Sequence, residues 1–288
     1  MNRGVVYMAL AVIFFSVMGL AVKFLPKGFP VFELVMFRSI IAVTAAYVTL
    51  KARKIHPWGN RKDLLFLRSI FGFLGLGIFF ATIQNMPLAT ALVIQYLSPI
   101  FVAILGIFLL KERMRPMQWL FFAMAFAGVI VIKGVDDRVS LFYLILGILG
   151  AVFSALAYSM VRKLKDTDHP MVVVFYFPLI TLPLAAIVTF FPWPNELGLW
   201  ALPNWTMPTG IEWFWLIVMG AFAQLGQVFL TKSLHLERAN IVSSMTYIGI
   251  VFGISYGYFF FDESYDWNAL GGIALVLTGV LLNVFTKK

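Results

Sequence analysis

The feature that most constrains this chain is a succession of long, uninterrupted apolar runs. Ten stretches, most of them close to the roughly 20 residues that a spanning helix needs, follow one another. They are Gly4–Phe24, Val31–Leu50, Leu64–Ile83, Pro87–Leu110, Met117–Ile132, Leu141–Val161, Met171–Phe190, Ile211–Leu230, Glu237–Phe261 and Trp267–Phe285. Charged residues make up 12% of the 288, hydrophobic residues 61%, and the mean hydropathy is +0.93. A soluble domain carries about 25% charged residues, so this chain could not cover its own surface in water. Lipid is its natural solvent, and in lipid each backbone polar group must be bonded within the protein. Helices and closed barrels satisfy that demand. Barrel strands would show short alternating segments of about ten residues, whereas these runs are continuous. The expected fold is therefore an all-α membrane protein with ten transmembrane helices. The run from Gly4 to Phe24 is expected to be the first span, since no small-residue cleavage site follows it.

Ten spans put both termini on one side. If that side is the cytoplasm, most of the 22 basic residues fall at cytoplasmic ends. Lys51, Arg53, Lys54, Arg61, Lys62 and Arg68 follow the second span, and Lys111, Arg113 and Arg115 the fourth. Arg162, Lys163 and Lys165 follow the sixth, and Lys287 and Lys288 end the chain. The opposite side keeps Lys23, Lys27, Lys133 and Arg138 beside the acidic Asp262, Glu263 and Asp266. The positive-inside rule then places the protein in a cell membrane with both termini cytoplasmic. It also accounts for the net charge of +9, so no nucleic-acid partner is needed to explain it. The stretch from Phe191 to Gly210, with Trp193, Trp200 and Trp205, reads as an interfacial segment on the other side.

The chain has no cysteine, which removes disulfides, thiolate metal sites and thiol catalysis. His56, His169 and His235 fall near expected loops without metal-ligand spacing, so no metal or cofactor is expected. An intramembrane enzyme would need a nucleophile, base or metal cluster in the bilayer, and the chain has no cysteine and no histidine or acid at the middle of a span. A Walker-type phosphate loop is absent too, which excludes self-contained ATP-driven pumping.

The two halves resemble each other. Gln95-Tyr96-Leu97 through Leu110-Lys111-Glu112 aligns without a gap on Thr246-Tyr247-Ile248 through Phe261-Asp262-Glu263. Tyr96 meets Tyr247, Phe101 meets Phe252 and Glu112 meets Glu263. Five spans per half, an odd number, require the second copy to insert upside down. The basic residues that follow Glu112 have no counterpart near Glu263, as inversion demands. Residues 1–138 and 139–288 are thus expected to be two inverted five-helix repeats, with the substrate near the midplane between them.

Phe37-Arg38 in the second span, Pro87-Leu88-Ala89-Thr90-Ala91 leading to Ser98-Pro99-Ile100-Phe101, and Lys111-Glu112 complete a recognisable set. The chain resembles the drug/metabolite transporter superfamily, EamA type, with Asn240-Ile241-Val242 to Glu263 similar to the second EamA repeat. The resemblance implies export or exchange of a small organic solute, such as an amino acid, by alternating access; some members import instead. One departure is that Ser98-Pro99 corresponds to Gly249-Ile250, so only the fourth span has a proline bend.

Polar groups inside a membrane are costly, and they are the candidate substrate-binding residues. Arg38 stands first. Its guanidinium could hold a carboxylate or phosphate bidentately, or it could instead bond carbonyls of a neighbouring helix or snorkel outward. Gln95, Tyr96 and Ser98 in the fourth span, Tyr158 in the sixth, Gln224 and Gln227 in the eighth, and Asn240, Ser244 and Tyr247 in the ninth complete the set. Interhelical bonding, worth about 0.6 kcal/mol per group, is the alternative role for each. Glycines Gly72, Gly75, Gly77, Gly271 and Gly272 are expected to permit close helix packing, with a homodimer interface as the alternative. The reading that results is a secondary transporter of a small anionic or zwitterionic metabolite, with uptake by the same fold or a channel as alternatives.

Overall fold

Eleven helical segments are built from these runs among the residues that the computed structural model describes, 3–26, 29–110, 116–191, 205–236 and 248–286. In chain order they are α1 (Arg3–Phe24), α2 (Val31–Ala52), α3 (Lys62–Asn85), α4 (Leu88–Gln95), α5 (Ser98–Leu110), α6 (Pro116–Val135), α7 (Leu141–Lys163), α8 (Pro170–Phe190), α9 (Ile211–Leu236), α10 (Ile248–Phe261) and α11 (Trp267–Thr286). No strand occurs among the described residues. Eight spans are long and apolar enough to cross a membrane, one of them formed jointly by α4 and α5, and α10 and α11 are shorter apolar helices. The chain is a ten-helix membrane protein. Its outward side chains agree with that environment: Phe259 is 74% and Ile130 70% exposed, surfaces suited to lipid rather than water.

Three local differences from expectation have physical causes. The fourth span is not one helix. Tyr96 and Leu97 form a turn between α4 and α5, because Pro99 has no N–H to return to the carbonyl four residues back and its ring clashes there. The proline bend is therefore a helix break, and it points Gln95, Tyr96 and Ser98 at the centre of the bundle. The eighth span runs on through Leu236 rather than ending at Leu230. Thr231 to Leu236 contains no glycine or proline, and Ser233 donates to the Gly4 carbonyl at 2.7 Å while Leu234 is buried. Arg68, inside the expected third span but counted among the charges at its cytoplasmic end, is buried within α3 at 3% exposure.

The most extensive contacts each pair a helix of residues 1–138 with one of 139–288. They are α1 with α9, α3 with α7, α2 with α8 and α6 with α11. Small residues set the closest approaches. A Cβ on Gly75 would stand 3.1 Å from the Ser154 backbone nitrogen, and one on Gly128 would stand 2.6 Å from the Gly272 carbonyl oxygen. Gly75 and Gly272 thus pack helix pairs within the chain, whereas Gly271 faces open space.

Each end of the bundle is tied by a different polar device. At the Phe24 end, the Lys23 ammonium meets Glu263 across the two halves. At the Lys51 end, the Asn60 backbone N–H donates to Asp168 Oδ1 at 2.7 Å, and the Asn60 side chain donates to the Thr167 carbonyl at 2.6 Å. Between these ends lies a cavity.

Candidate functional site

The cavity has a volume of about 160 Å3 and draws its walls from α1, α2, α3, the α4–α5 break, α7, α8 and α9. Its apolar wall includes Met18, Leu76, Phe79 and Val102. The break between α4 and α5 contributes Gln95, Tyr96, Ser98 and Pro99. An unbroken helix would turn part of that set away; the turn at Tyr96-Leu97 presents all four to one space.

Two arginines dominate the chemistry. Arg38 on α2 is 2% exposed and Arg68 on α3 is 3% exposed, and both line the cavity. They share the Phe177 ring of α8: the Arg68 Cζ lies 3.7 Å and the Arg38 Cζ 5.1 Å from its centroid. In each, Nε and Nη1 are buried with no hydrogen-bond partner among the described residues. Neither arginine joins an ion pair among the described residues, where the pairs found are Lys23–Glu263, Arg61–Asp63 and Arg138–Asp136. Glu33, five residues before Arg38, is fully buried and accepts from the Thr206 backbone N–H at 3.0 Å. A charge within a membrane costs about 3 kcal/mol or more. Cation–π contact with Phe177 offsets only part of that.

Polar neighbours complete the wall. Gln95 Nε2 donates to Ser154 Oγ at 2.8 Å, so this amide both lines the cavity and bonds a neighbouring helix. Tyr158, one turn beyond Ser154 on α7, lines the same space within electrostatic range of both arginines. Gln227 lines it too, while its Nε2 approaches Thr231 Oγ1 at 3.2 Å. Tyr96 reaches across Gly249, where any Cβ would collide with its hydroxyl, which explains why glycine stands opposite Ser98 in the aligned half. Arg162, half-buried, extends the lining toward the Lys163 end of α7.

Of the residues singled out from sequence, Arg38, Gln95, Tyr96, Ser98, Tyr158 and Gln227 are brought together here. Gln224 is buried with an unbonded Oε1 but does not line the cavity. Asn240, Ser244 and Tyr247 lie outside the described residues. Phe79 lines the cavity, whereas the aligned pair Phe101 and Phe252 does not. Sequence reasoning missed Arg68 and Phe177, and took Gly72 for a helix-packing residue alone. A signal did exist: Arg68, Gly72, Gly75 and Phe79 recur at helical spacing and so share one face of α3.

Known proteins agree with a transport architecture. The pseudopaline exporter of Pseudomonas aeruginosa (strain UCBPP-PA14) is 31% identical over 294 residues, covering 100% of this chain and 98% of its own. Solute carrier family 35 member G1 of Mus musculus is 31% identical over 95% of this chain and 76% of its own. The S-adenosylmethionine uptake transporter of Rickettsia prowazekii (strain Madrid E) is 23% identical over 99% and 94%. A crystal structure of a protein 17% identical in sequence superposes with a TM-score of 0.71 over 99% of this chain and 98% of that one, so the fold is shared. The sequence model of the EamA-like transporter family matches residues 2–134 and 141–285. Seven apolar spans wall a cavity that carries two buried arginines, within a chain that those matches cover almost end to end, and this chain belongs to the EamA-like transporter family of the drug/metabolite transporter superfamily.

Proposed function

We propose that this membrane protein is a secondary transporter that moves a small anionic or zwitterionic organic metabolite by alternating access, in the direction of export or exchange. The observation that carries the reading is Arg38, a buried guanidinium that lines the cavity with Nε and Nη1 unbonded. A cation held there without an ion-pair partner among the described residues is matched to a carboxylate or phosphate arriving from outside the chain.

Direction rests on the two ends. Toward the ends of α7 and α9 the cavity reaches Arg162 and Leu234, on the side where Lys51, Lys54 and Lys163 gather. The positive-inside rule makes that side cytoplasmic. The opposite end is bridged by Lys23 and Glu263. A cavity reached from the cytoplasm is poised to load a solute from within, in keeping with the pseudopaline exporter among the relatives, although the relative named for uptake shares the fold. Inverted repeats within residues 1–138 and 139–288 provide the two access states. Their support is that helix pairs exchange under the alignment: α1 with α9 corresponds to α7 with α3.

The test is flux. Purified protein in liposomes is screened by thermal shift against amino acids, organic acids and phosphorylated metabolites, and hits are followed by uptake and counterflow. A ligand raises apparent stability when it binds the folded state. Arg38→Ala should lower transport of the hit by on the order of tenfold or more, from loss of a charge-assisted contact, while the protein remains folded. Full transport by that variant would remove Arg38 from substrate binding and with it this reading of the cavity.

A further inference from the structure

We propose that Arg38 and Arg68 act together as a two-point clamp for a small organic dianion, so that the doubly charged ligand is selected over the singly charged one. The inference rests on the transporter reading above and narrows the substrate class of the same cavity.

Four observations carry it. Both guanidiniums are buried, and both leave Nε and Nη1 without a hydrogen-bond partner among the described residues. They converge on one ring, Phe177, from different helices. No ion pair among the described residues includes either of them. And α3 carries glycine at position 72, where a Cβ would stand 2.7 Å from Phe177 Cε2 and 3.0 Å from Arg68 Nη1. Glycine there leaves room for the ring and the second guanidinium to lie beside the cavity.

Two like charges close together in a medium of low dielectric repel strongly. A monoanion compensates one guanidinium and leaves the other buried and unmatched. A ligand with two negative charges compensates both, so the second charge adds affinity rather than only adding desolvation cost. Arginine also presents a planar fork suited to paired oxygens. The remaining wall suits a short carbon skeleton: Met18, Leu76 and Phe79 supply apolar surface, and Gln95, Ser154 and Tyr158 supply hydrogen bonds. The shared chemistry is a double negative charge on a small organic frame, which a dicarboxylate or a phosphate monoester can provide.

Binding to the purified full-length protein, measured by calorimetry at constant ionic strength, tests the clamp with three probes: succinate, glycerol phosphate and butyrate. At least one dianion should bind wild type on the order of tenfold or more tighter than butyrate. Succinate preferred over glycerol phosphate identifies the dicarboxylate source, and the reverse identifies the phosphate ester. Arg68→Gln should collapse the dianion-to-monoanion ratio, and Arg68→Lys should restore part of it; thermal unfolding checks that both variants are folded. The wild-type series needs no variant. Equal binding of mono- and dianions by wild type, no binding by either dianion, or a ratio that survives Arg68→Gln would overturn the clamp. Equal binding of all three that is lost in Arg38→Ala would overturn the clamp yet leave the transporter reading standing. Full transport by Arg38→Ala of the solute found in the flux screen would overturn both.

Discussion

Lys23 Nζ lies 3.1 Å from Glu263 Oε1, joining the end of α1 to the loop between α10 and α11. Both side chains are largely buried. The other carboxylate oxygen accepts from the Leu88 backbone N–H at 2.9 Å and from the Tyr265 hydroxyl at 2.8 Å. Lys23 donates in addition to the Met86 carbonyl at 2.5 Å. One acidic side chain thus ties α1, the start of α4 and the second half together. Local backbone helps to place it: Asp262 adopts a left-handed conformation (φ 49°), and a Cβ on Gly257 would stand 2.5 Å from Glu263 Oε2.

Removing Glu263 takes the carboxylate away from the buried Lys23 ammonium and the acceptor away from the Leu88 N–H and the Tyr265 hydroxyl. Glu263→Ala should therefore destabilise the protein by about 3 kcal/mol, read as a fall in thermal unfolding midpoint in detergent. The double variant Lys23→Met with Glu263→Ala should lose less than the sum of the two single losses, because the cation that had faced the carboxylate is gone with it. Strict additivity would show that the pair contributes nothing as a pair.

Gly72→Ala should weaken ligand binding more than it weakens the fold. In a helix interior alanine is favoured over glycine by about 1 kcal/mol, which offsets part of any strain. The added methyl, however, meets Phe177 and Arg68 and must displace them within the cavity. Affinity for the transported solute should fall by roughly tenfold, a value typical of losing one well-placed charged contact. Unchanged affinity would mean that Phe177 and Arg68 can move without consequence for the ligand.

Asp136 makes stability depend on pH. Burial pushes its carboxyl upward, but two side-chain bonds at 2.9 Å and a backbone N–H from Arg138 outweigh burial and hold it below the usual carboxylate range. A carboxyl with a lowered folded pKa adds stability that is complete above its unfolded pKa of about 4 and is lost as pH falls through the folded value. Between about pH 5 and pH 3 the unfolding midpoint of wild type should fall more steeply than that of Asp136→Asn. Parallel curves would remove Asp136 from the acid response.

The extent to which sequence and structure agree varies by element. The first, second and seventh spans match α1, α2 and α8 within two residues at each end, because a run apolar on all sides has one stable form in lipid. Boundaries shifted where tertiary bonds took over. Ser233 bonding Gly4 extended α9, and a missing N–H at Pro99 divided the fourth span. Arg38, Gln95 and Tyr158 stood out because a polar side chain within an apolar run is costly and so conspicuous. Arg68 did not, since six residues after Lys62 it reads as one more charge at a loop.

What the sequence alone determined is the solvent, the number of spans and the short roster of polar groups that lipid would not tolerate. These follow from local apolar length and from the cost of bare polar groups in hydrocarbon. Only the tertiary structure decided which way those groups face. A helix that is apolar all round carries no periodic signal to mark its inner side. The face toward the cavity is chosen by the helices packed against it, and so the meeting of Arg38 and Arg68, on two consecutive helices of the first half, with the Phe177 ring of the second half was decided by tertiary packing.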